Sequence, residues 1–284
     1  MKKILLTGRN GQVGWELQRT LMPLGEVIAP DREKLDLADA DSIRTAIREL
    51  RPDIIVNAAA YTAVDKAEND VSLAMLVNAL APGVMAEEAK KMGIQLVHYS
   101  TDYVFDGAKD SPYTEDDTPA PINAYGRSKL AGEQAIQAIG GRHLIFRISW
   151  VYGLHGRNFL RTILNLAEER EVLRIIEDQF GAPTWSRLIA EATALALARQ
   201  RQPEGLYHLA SSGFTSWHGF SEAILDLSRH LRTRQPALIA IPTHEYPLPA
   251  ARPRNSRLVC DQFALEASIR LPDWRHALGL CLEH

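Results

Sequence analysis

The chain has 284 residues, 46% hydrophobic and 24% charged, the composition of an ordinary globular protein with a sizeable core. Its net charge is −3, from 32 basic and 35 acidic side chains, and nothing in that balance argues for a nucleic-acid or membrane partner. Two cysteines, Cys260 and Cys281, form no C-x-x-C pattern and no Cys/His cluster, which speaks against zinc and for a reducing, cytoplasmic compartment.

Lys3 to Thr7 is a short apolar run that reads as a buried parallel strand. Met1, Lys2 and Lys3 carry the charge of a signal peptide, but the apolar stretch behind them is short and ends in glycine. Gly8, Gly11 and Gly14 follow in G-x-x-G-x-x-G spacing, with Val13, Leu17, Leu21 and Leu24 at helical intervals. Strand, glycine turn, helix is the geometry that sets backbone N–H groups and a helix N-terminus against a pyrophosphate. Dinucleotide binding is therefore expected. Glu26 to Ala29 reads as the second strand. Asp31 stands about 20 residues beyond the glycines, where an acid binds adenine ribose hydroxyls. Arg32 beside it suits a 2′-phosphate, so NADH and NADPH are both admitted.

Asp39 or Asp41 caps a helix bearing Ile43, Ala46, Ile47 and Leu50, and Pro52 ends it. Asp53 to Asn57 is a third strand. Ala58, Ala59 and Ala60 at its end are small enough for a cofactor to lie against backbone. Asp65 and Glu68 read as a solvated turn rather than a metal site. Ser72 to Met92 reads as a long helix, and Gln95 to Ser100 as the fourth strand. The longest apolar runs fall short of a membrane span. Thr101 and Asp102 then lie outside the carboxyl end of a strand, where ligands bind in open α/β sheets.

A proline-rich loop, Thr118 to Asn123, opens a helix over Ala124 to Ile139. Tyr125 and Lys129 sit one turn apart on one face of it. A phenol titrates near ~10. A neighbouring ammonium favours the phenolate, which tunes the pair for acid–base work at a carbonyl or hydroxyl. The spacing alone is common, and its weight comes from the rest of the chain. His143 to Ser149 is the fifth strand, ending at Trp150.

Beyond Trp150 the alternation is less regular. Arg157 to Arg170, Arg187 to Arg199 and Trp217 to Leu231 read as helices, Leu173 to Ile176 and Gly205 to Leu209 as strands, and Asp178 to Thr184 as a turn. Arg252, Arg254 and Arg257 follow a proline-rich stretch and are candidates for a wall that meets an anionic ligand. Leu282, Glu283 and His284 read as the start of a tag and are left out of the fold. The expected fold class is α/β: a doubly wound parallel sheet over 1–150, with a smaller mixed α/β lobe over 151–284 and a segment near 205–210 returning to the sheet.

Gly8, Gly11 and Gly14, the run Asn57-Ala58-Ala59-Ala60, the stretch Ser100 to Phe105, and Tyr125 with Lys129 occur together. The set resembles the extended short-chain dehydrogenase/reductase family. Gly11 to Leu17, Thr62 to Glu68, Ser100 to Gly107, Asp178 to Thr184 and Arg252 to Leu258 extend the likeness over essentially the whole chain, toward its nucleotide-sugar reductases. The resemblance implies NAD(P)H-dependent reduction of the 4-keto group of dTDP-4-dehydro-L-rhamnose to dTDP-L-rhamnose. It implies Tyr125 as proton donor, and Lys129 as the residue that lowers the Tyr125 pKa and holds the nicotinamide ribose. Thr101 takes the place of the usual serine, and Asp102 and Trp150 seat the sugar. Gly11, Gln12 and Val13 line the pyrophosphate, Asp31 the adenosine end, and Asp36 with Leu37 the adenine. Ala60, Tyr61, Thr62 and Tyr99 flank the cofactor.

Some members bind magnesium at a dimer contact through acids that include the position of Glu16. One carboxylate does not make a site, so no metal is expected here, and a homodimer stands as an open expectation. Two other readings share these motifs. One is a nucleotide-sugar epimerase or dehydratase. The other is a non-catalytic regulatory subunit resembling the methionine adenosyltransferase β subunit.

Overall fold

The computed structural model describes residues 1–200 and 202–283. The first half alternates strand and helix: β1 (Lys2–Thr7), α1 (Gln12–Thr20), β2 (Gly25–Ile28), α2 (Ala40–Leu50) and β3 (Ile54–Asn57). A short α3 (Val64–Ala67) precedes a continuous helical rod. The rod is α4 (Val71–Met75), one π-helical stretch (Leu76–Leu80) and α5 (Ala81–Met92). Next come β4 (Gln95–Thr101), α6 (Ala124–Ile139) and β5 (His143–Ile148). The rod's 22 apolar-rich residues are long enough to cross a bilayer, but half of that stretch is buried inside the protein. Ala81, Val84, Met85 and Ala89 pack there with Ile43 and Ile47 of α2 and Ile136 of α6. Its apolarity thus serves the interior.

The second half holds β6 (Val151–Tyr152), α7 (Phe159–Glu169), β7 (Val172–Ile176), β8 (Phe180–Gly181), β9 (Thr184–Trp185), α8 (Ser186–Ala198) and β10 (Gly205–Leu209). It ends with β11 (Thr215–Ser216), α9 (Trp217–Leu227), β12 (Ala237–Ile241), α10 (Asp261–Ala267) and α11 (Trp274–Leu282). β10 leaves this half to pair with β5, giving a six-stranded sheet in the order β10-β5-β4-β3-β1-β2. Every pairing in it is parallel. Ile4 and Leu6 point to the face covered by α1 and α8, and Leu5 to the face covered by α2 and α5. Burial on both faces is why β1 reads as an unbroken apolar run.

A second core gathers Tyr152, Leu160, Ile163, Leu173, Phe220, Ile224 and Leu278 under the C-terminal lobe. Leu282 belongs to that core at 6% exposure. Setting it aside as a tag residue is therefore corrected, while His284 lies outside the described residues. The sequence patterns missed β12, which pairs parallel with β7 and exposes most of its residues, so no alternation marks it. They also missed α10 and α11.

The strand order reverses between β1 and β3. That switch point opens a crevice at the carboxyl ends of the strands, where ligands bind in such sheets.

Candidate active site

The glycine turn lies at this crevice. Gly8 has φ +75°, and a Cβ on it would sit 2.5 Å from the Ala59 backbone nitrogen. Only glycine lets the turn pass so close to the Ala58–Ala59 backbone. α1 begins behind Gly11 with no side chain capping its N-terminus, so its first N–H groups are free to meet an anion. Around the turn runs one long trough in two parts that share Gly8, Asn10, Gly11, Ala59 and Ala60. The smaller part, about 340 Å³, is lined by Asp31, Asp36, Leu37 and Tyr61. The larger, about 640 Å³, is lined by Gln12, Val13, Thr62, Tyr99, Thr101, Asp102, Tyr125, Lys129 and Trp150. A bent dinucleotide has this shape, and the glycine cradle fits its pyrophosphate. Gly14 is the expected cofactor residue that lines neither part. It packs instead on the turn, where a Cβ would meet the Gly8 carbonyl oxygen at 2.0 Å.

α6 brings Tyr125 and Lys129 to the larger part. Asn123 caps the helix by accepting from the Gly126 N–H at 2.7 Å, and Glu68 accepts from the Ala124 N–H at 2.7 Å. Tyr125 packs with Tyr61 against Ala67, Ala74 and Ala124. Lys129 is buried, and its Nζ donates to the Tyr99 carbonyl oxygen at 2.6 Å. Ser128 and Asn78 tie the helix to the rod, the Asn78 Nδ2 donating to Ser128 Oγ at 2.9 Å. Thr101 Oγ1 donates to Asp102 Oδ1 at 2.9 Å and accepts from the Tyr103 N–H at 3.1 Å.

The electrostatics correct one expectation. Lys129 does not lower the Tyr125 pKa; burial pushes the phenol up to about 12, with the Thr101 hydroxyl partly offsetting and Asp102 adding. The reason is that the Lys129 ammonium is turned to the Tyr99 carbonyl and to His98. Burial also brings Lys129 down to about 8, against the opposing pull of Glu133. Asp102 is raised to about 6 by burial, although Thr101, Ser256 and Ser149 donate to it.

Trp150 forms the wall on the other side. Its φ is +43°, rare for a bulky residue and a conformation that only tight surroundings maintain. Its indole stacks on Trp217 at 3.5 Å and lies across Gly181, where a Cβ would meet the ring at 2.4 Å. Trp217 Nε1 donates to Gln179 Oε1 at 3.2 Å. Trp217 carried no local signal, since its neighbour in the stack is far away in sequence. Arg9 and Arg157 also line the trough. Arg9 could have been singled out as a cation inside the glycine turn.

The proposed arginine wall is only partly free. Arg252 is forked onto Asp65 at 3.0 and 2.8 Å. Arg257 is tied to Asn255 and to the Asp110 carbonyl. Arg254 is exposed. Asp65 is thereby a structural ion-pair partner rather than a residue of a solvated turn. Among the described residues no group of three His, Cys, Asp or Glu is placed to hold a metal ion.

A doubly wound parallel sheet, a glycine cradle at its switch point, and a Tyr/Lys pair on the facing helix define an extended short-chain dehydrogenase/reductase. A family model described as "RmlD substrate binding domain" matches residues 1–284. The dTDP-4-dehydrorhamnose reductase of Burkholderia thailandensis is 51% identical, over 99% of this chain and 98% of that one. The enzyme of that name from Escherichia coli K12 is 48% identical, over 96% and 94%. The crystal structure of dTDP-4-dehydrorhamnose reductase from Bacillus anthracis in complex with NADP superposes with a TM-score of 0.93 at 33% identity, covering 99% of each chain. The chain belongs to this family of dTDP-4-dehydrorhamnose reductases.

Proposed function

We propose that this protein reduces the 4-keto group of dTDP-4-dehydro-L-rhamnose with NADPH or NADH, giving dTDP-L-rhamnose. The observation that carries the reading is convergence. Thr101, Tyr125 and Lys129 line the same cavity as the glycine cradle. The relatives' shared name gives the substrate, and the trough gives room for it.

When bound, the nicotinamide supplies the hydride. Tyr125 then donates its phenolic proton to the carbonyl oxygen. The phenol, raised above its ordinary value, is protonated at neutral pH, and that is the form a reduction needs. Thr101 hydrogen-bonds the same oxygen or the tyrosine and limits the charge that develops there. Lys129, its ammonium anchored on the Tyr99 carbonyl, holds the ribose. Asp102 and Trp150 seat the sugar, and the Trp150–Trp217 stack keeps water from that side. Gly8, Gly11, Gln12 and Val13 hold the pyrophosphate, and Asp31, Asp36 and Leu37 the adenosine end. We also propose a cytoplasmic setting, supported by two free thiols, Cys260 and Cys281.

The test is a cofactor-oxidation assay against a panel of nucleotide 4-keto sugars, with the product sugar identified. Stoichiometric loss of NADPH with formation of dTDP-L-rhamnose is expected. An epimerase or dehydratase would return its cofactor, so turnover without net oxidation would overturn the reading. Absence of any turnover would favour a regulatory subunit.

A further inference from the structure

Lys129 is buried, and so is what its amine touches. Its Nζ lies 3.2 Å from His98 Nε2. The other ring nitrogen, Nδ1, is 3.0 Å from Asn57 Nδ2. Asn57 in turn accepts from Thr7 Oγ1 at 2.6 Å. Thr7, Asn57 and His98 are register partners across β1, β3 and β4, so the sheet itself lines them up. His98 and Asn57 are both 0% exposed. No step described above uses either of them.

Counting donors and acceptors shows what the row can do. A neutral imidazole has one donor nitrogen and one acceptor nitrogen. If Lys129 is an ammonium, it can only donate. His98 Nε2 must then accept, the ring proton sits on Nδ1, and the Asn57 amide turns over so that Oδ1 faces the ring and Nδ2 faces Thr7 Oγ1. If Lys129 is an uncharged amine, each role reverses, and Asn57 presents its Nδ2, the orientation its amide has in the structure. The Thr7 hydroxyl, donor and acceptor at once, completes the row in both cases. Burial and the nearby Lys129 hold the His98 pKa well below its ordinary value, so the ring stays neutral.

The other groups near Lys129 leave this task to His98. On its own helix Glu133 is the charge that acts on it, but its carboxylate is forked onto Arg147 of β5 at 3.0 and 2.7 Å. From β4 the Tyr99 carbonyl accepts but does not titrate. Asp102, just beyond β4, is turned to Thr101 and Ser149. Tyr125 is held as a neutral phenol. From β3 and β1 come the members of the row, Asn57 and Thr7.

We propose that His98 is a positioning residue: held neutral and oriented by Asn57, it fixes Lys129 Nζ in the cavity and favours its charged form by accepting a hydrogen bond. The proposal rests on the reading of Tyr125 and Lys129 above. It is decided by the Lys129 titration on the protein without substrate or cofactor, so its failure is distinguishable from failure of that reading.

The experiment labels lysine Cε with ¹³C and follows the Lys129 resonance against pH, assigned by its loss in Lys129→Met. The parent midpoint is expected at about 8. His98→Leu keeps the bulk but cannot accept, and should lower the midpoint by about one unit. The alkaline limb of kcat should move down with it. His98→Gln can place its Oε1 near the position of Nε2, and should restore the midpoint to within about 0.3 unit of the parent. Asn57→Ala frees the ring to turn, and should lower the midpoint by about half a unit. An unshifted midpoint in His98→Leu would overturn the proposal, as would His98→Gln behaving like His98→Leu. If His98→Leu does not fold, Asn57→Ala decides. A fall supports the proposal and an unchanged midpoint overturns it.

Discussion

At the scale of single residues, two groups carry opposite risks. In the proposed reaction Tyr125 supplies one proton, and it otherwise packs as a ring. Tyr125→Phe should lower kcat by roughly 10² to 10⁴ while leaving the Kd for NADPH within about twofold. Activity within a few-fold of the parent would mean that another group delivers the proton. Asp102, proposed to seat the sugar, is buried at a cost to stability. Its pKa is raised by burial to about 6 from an ordinary 3.8. A raised folded-state value means that its contribution is full below pH ~4 and is lost as pH rises through about 6, a swing on the order of 3 kcal/mol. Asp102→Asn should therefore raise Tm at pH 8 and not at pH 4, with a loss of activity. The same change in Tm at both pH values would show that the carboxylate is not strained by burial.

At the scale of elements, the β1–turn–α1 unit works because two pieces of backbone nearly touch. Gly14→Ala would place a methyl 2.0 Å from the Gly8 carbonyl oxygen, so α1 or the turn must shift. Overpacking of this kind costs about 1–3 kcal/mol, and the shift falls on the N–H groups that meet the pyrophosphate. Cofactor Kd should rise about tenfold or more; fluorescence titration reads it, and an unchanged Kd would show that the cradle tolerates the shift. The loop after β2 sets the other end of the trough. There Asp31 repels a 2′-phosphate while Arg32 and Arg9 attract it, and Arg32 also pairs with Asp36 at 3.6 Å. Exposed charges of both signs give a preference between NADH and NADPH below about tenfold. A thousandfold difference in kcat/KM would show that one of the charges takes no part.

At the scale of the whole molecule, the two halves meet at the larger part of the trough, the proposed seat of the sugar. Trp150 lies between β5 and β6 and Trp217 opens α9, and the stack between them is the seam. Trp217→Leu should leave cofactor Kd within about twofold, because the cofactor trough is built mainly from the first half. It should raise the KM for the nucleotide sugar by about tenfold, as expected for a stacked aromatic that is worth roughly 1 kcal/mol and also shapes its neighbour. A cofactor Kd that changes as much as the KM would show that the seam supports both sites alike.

The sequence by itself determined what depends on near neighbours along the chain. Alternating strands and helices, the glycine spacing and the one-turn Tyr125–Lys129 pair are all local, and a buried parallel strand announces itself as an apolar run. These patterns sufficed for the strands of the sheet and for the glycine turn, Thr101, Asp102, Tyr125 and Lys129 at the trough, while Gln12, Val13, Asp36, Leu37 and Trp150 came from the family resemblance and Arg9, Arg157 and Trp217 from the structure. Tertiary structure alone decided what depends on distant partners. Asp65 looked solvated until Arg252 was brought to it. Trp217 became a wall residue because Gly181 lets the Trp150 ring lie flat against it. The Tyr125 pKa went up because burial outweighs a cation whose ammonium points elsewhere. His98 and Asn57 gained their row only when parallel register set three strands side by side. Burial and cross-strand register are properties of the packed chain, and no single stretch of sequence carries them.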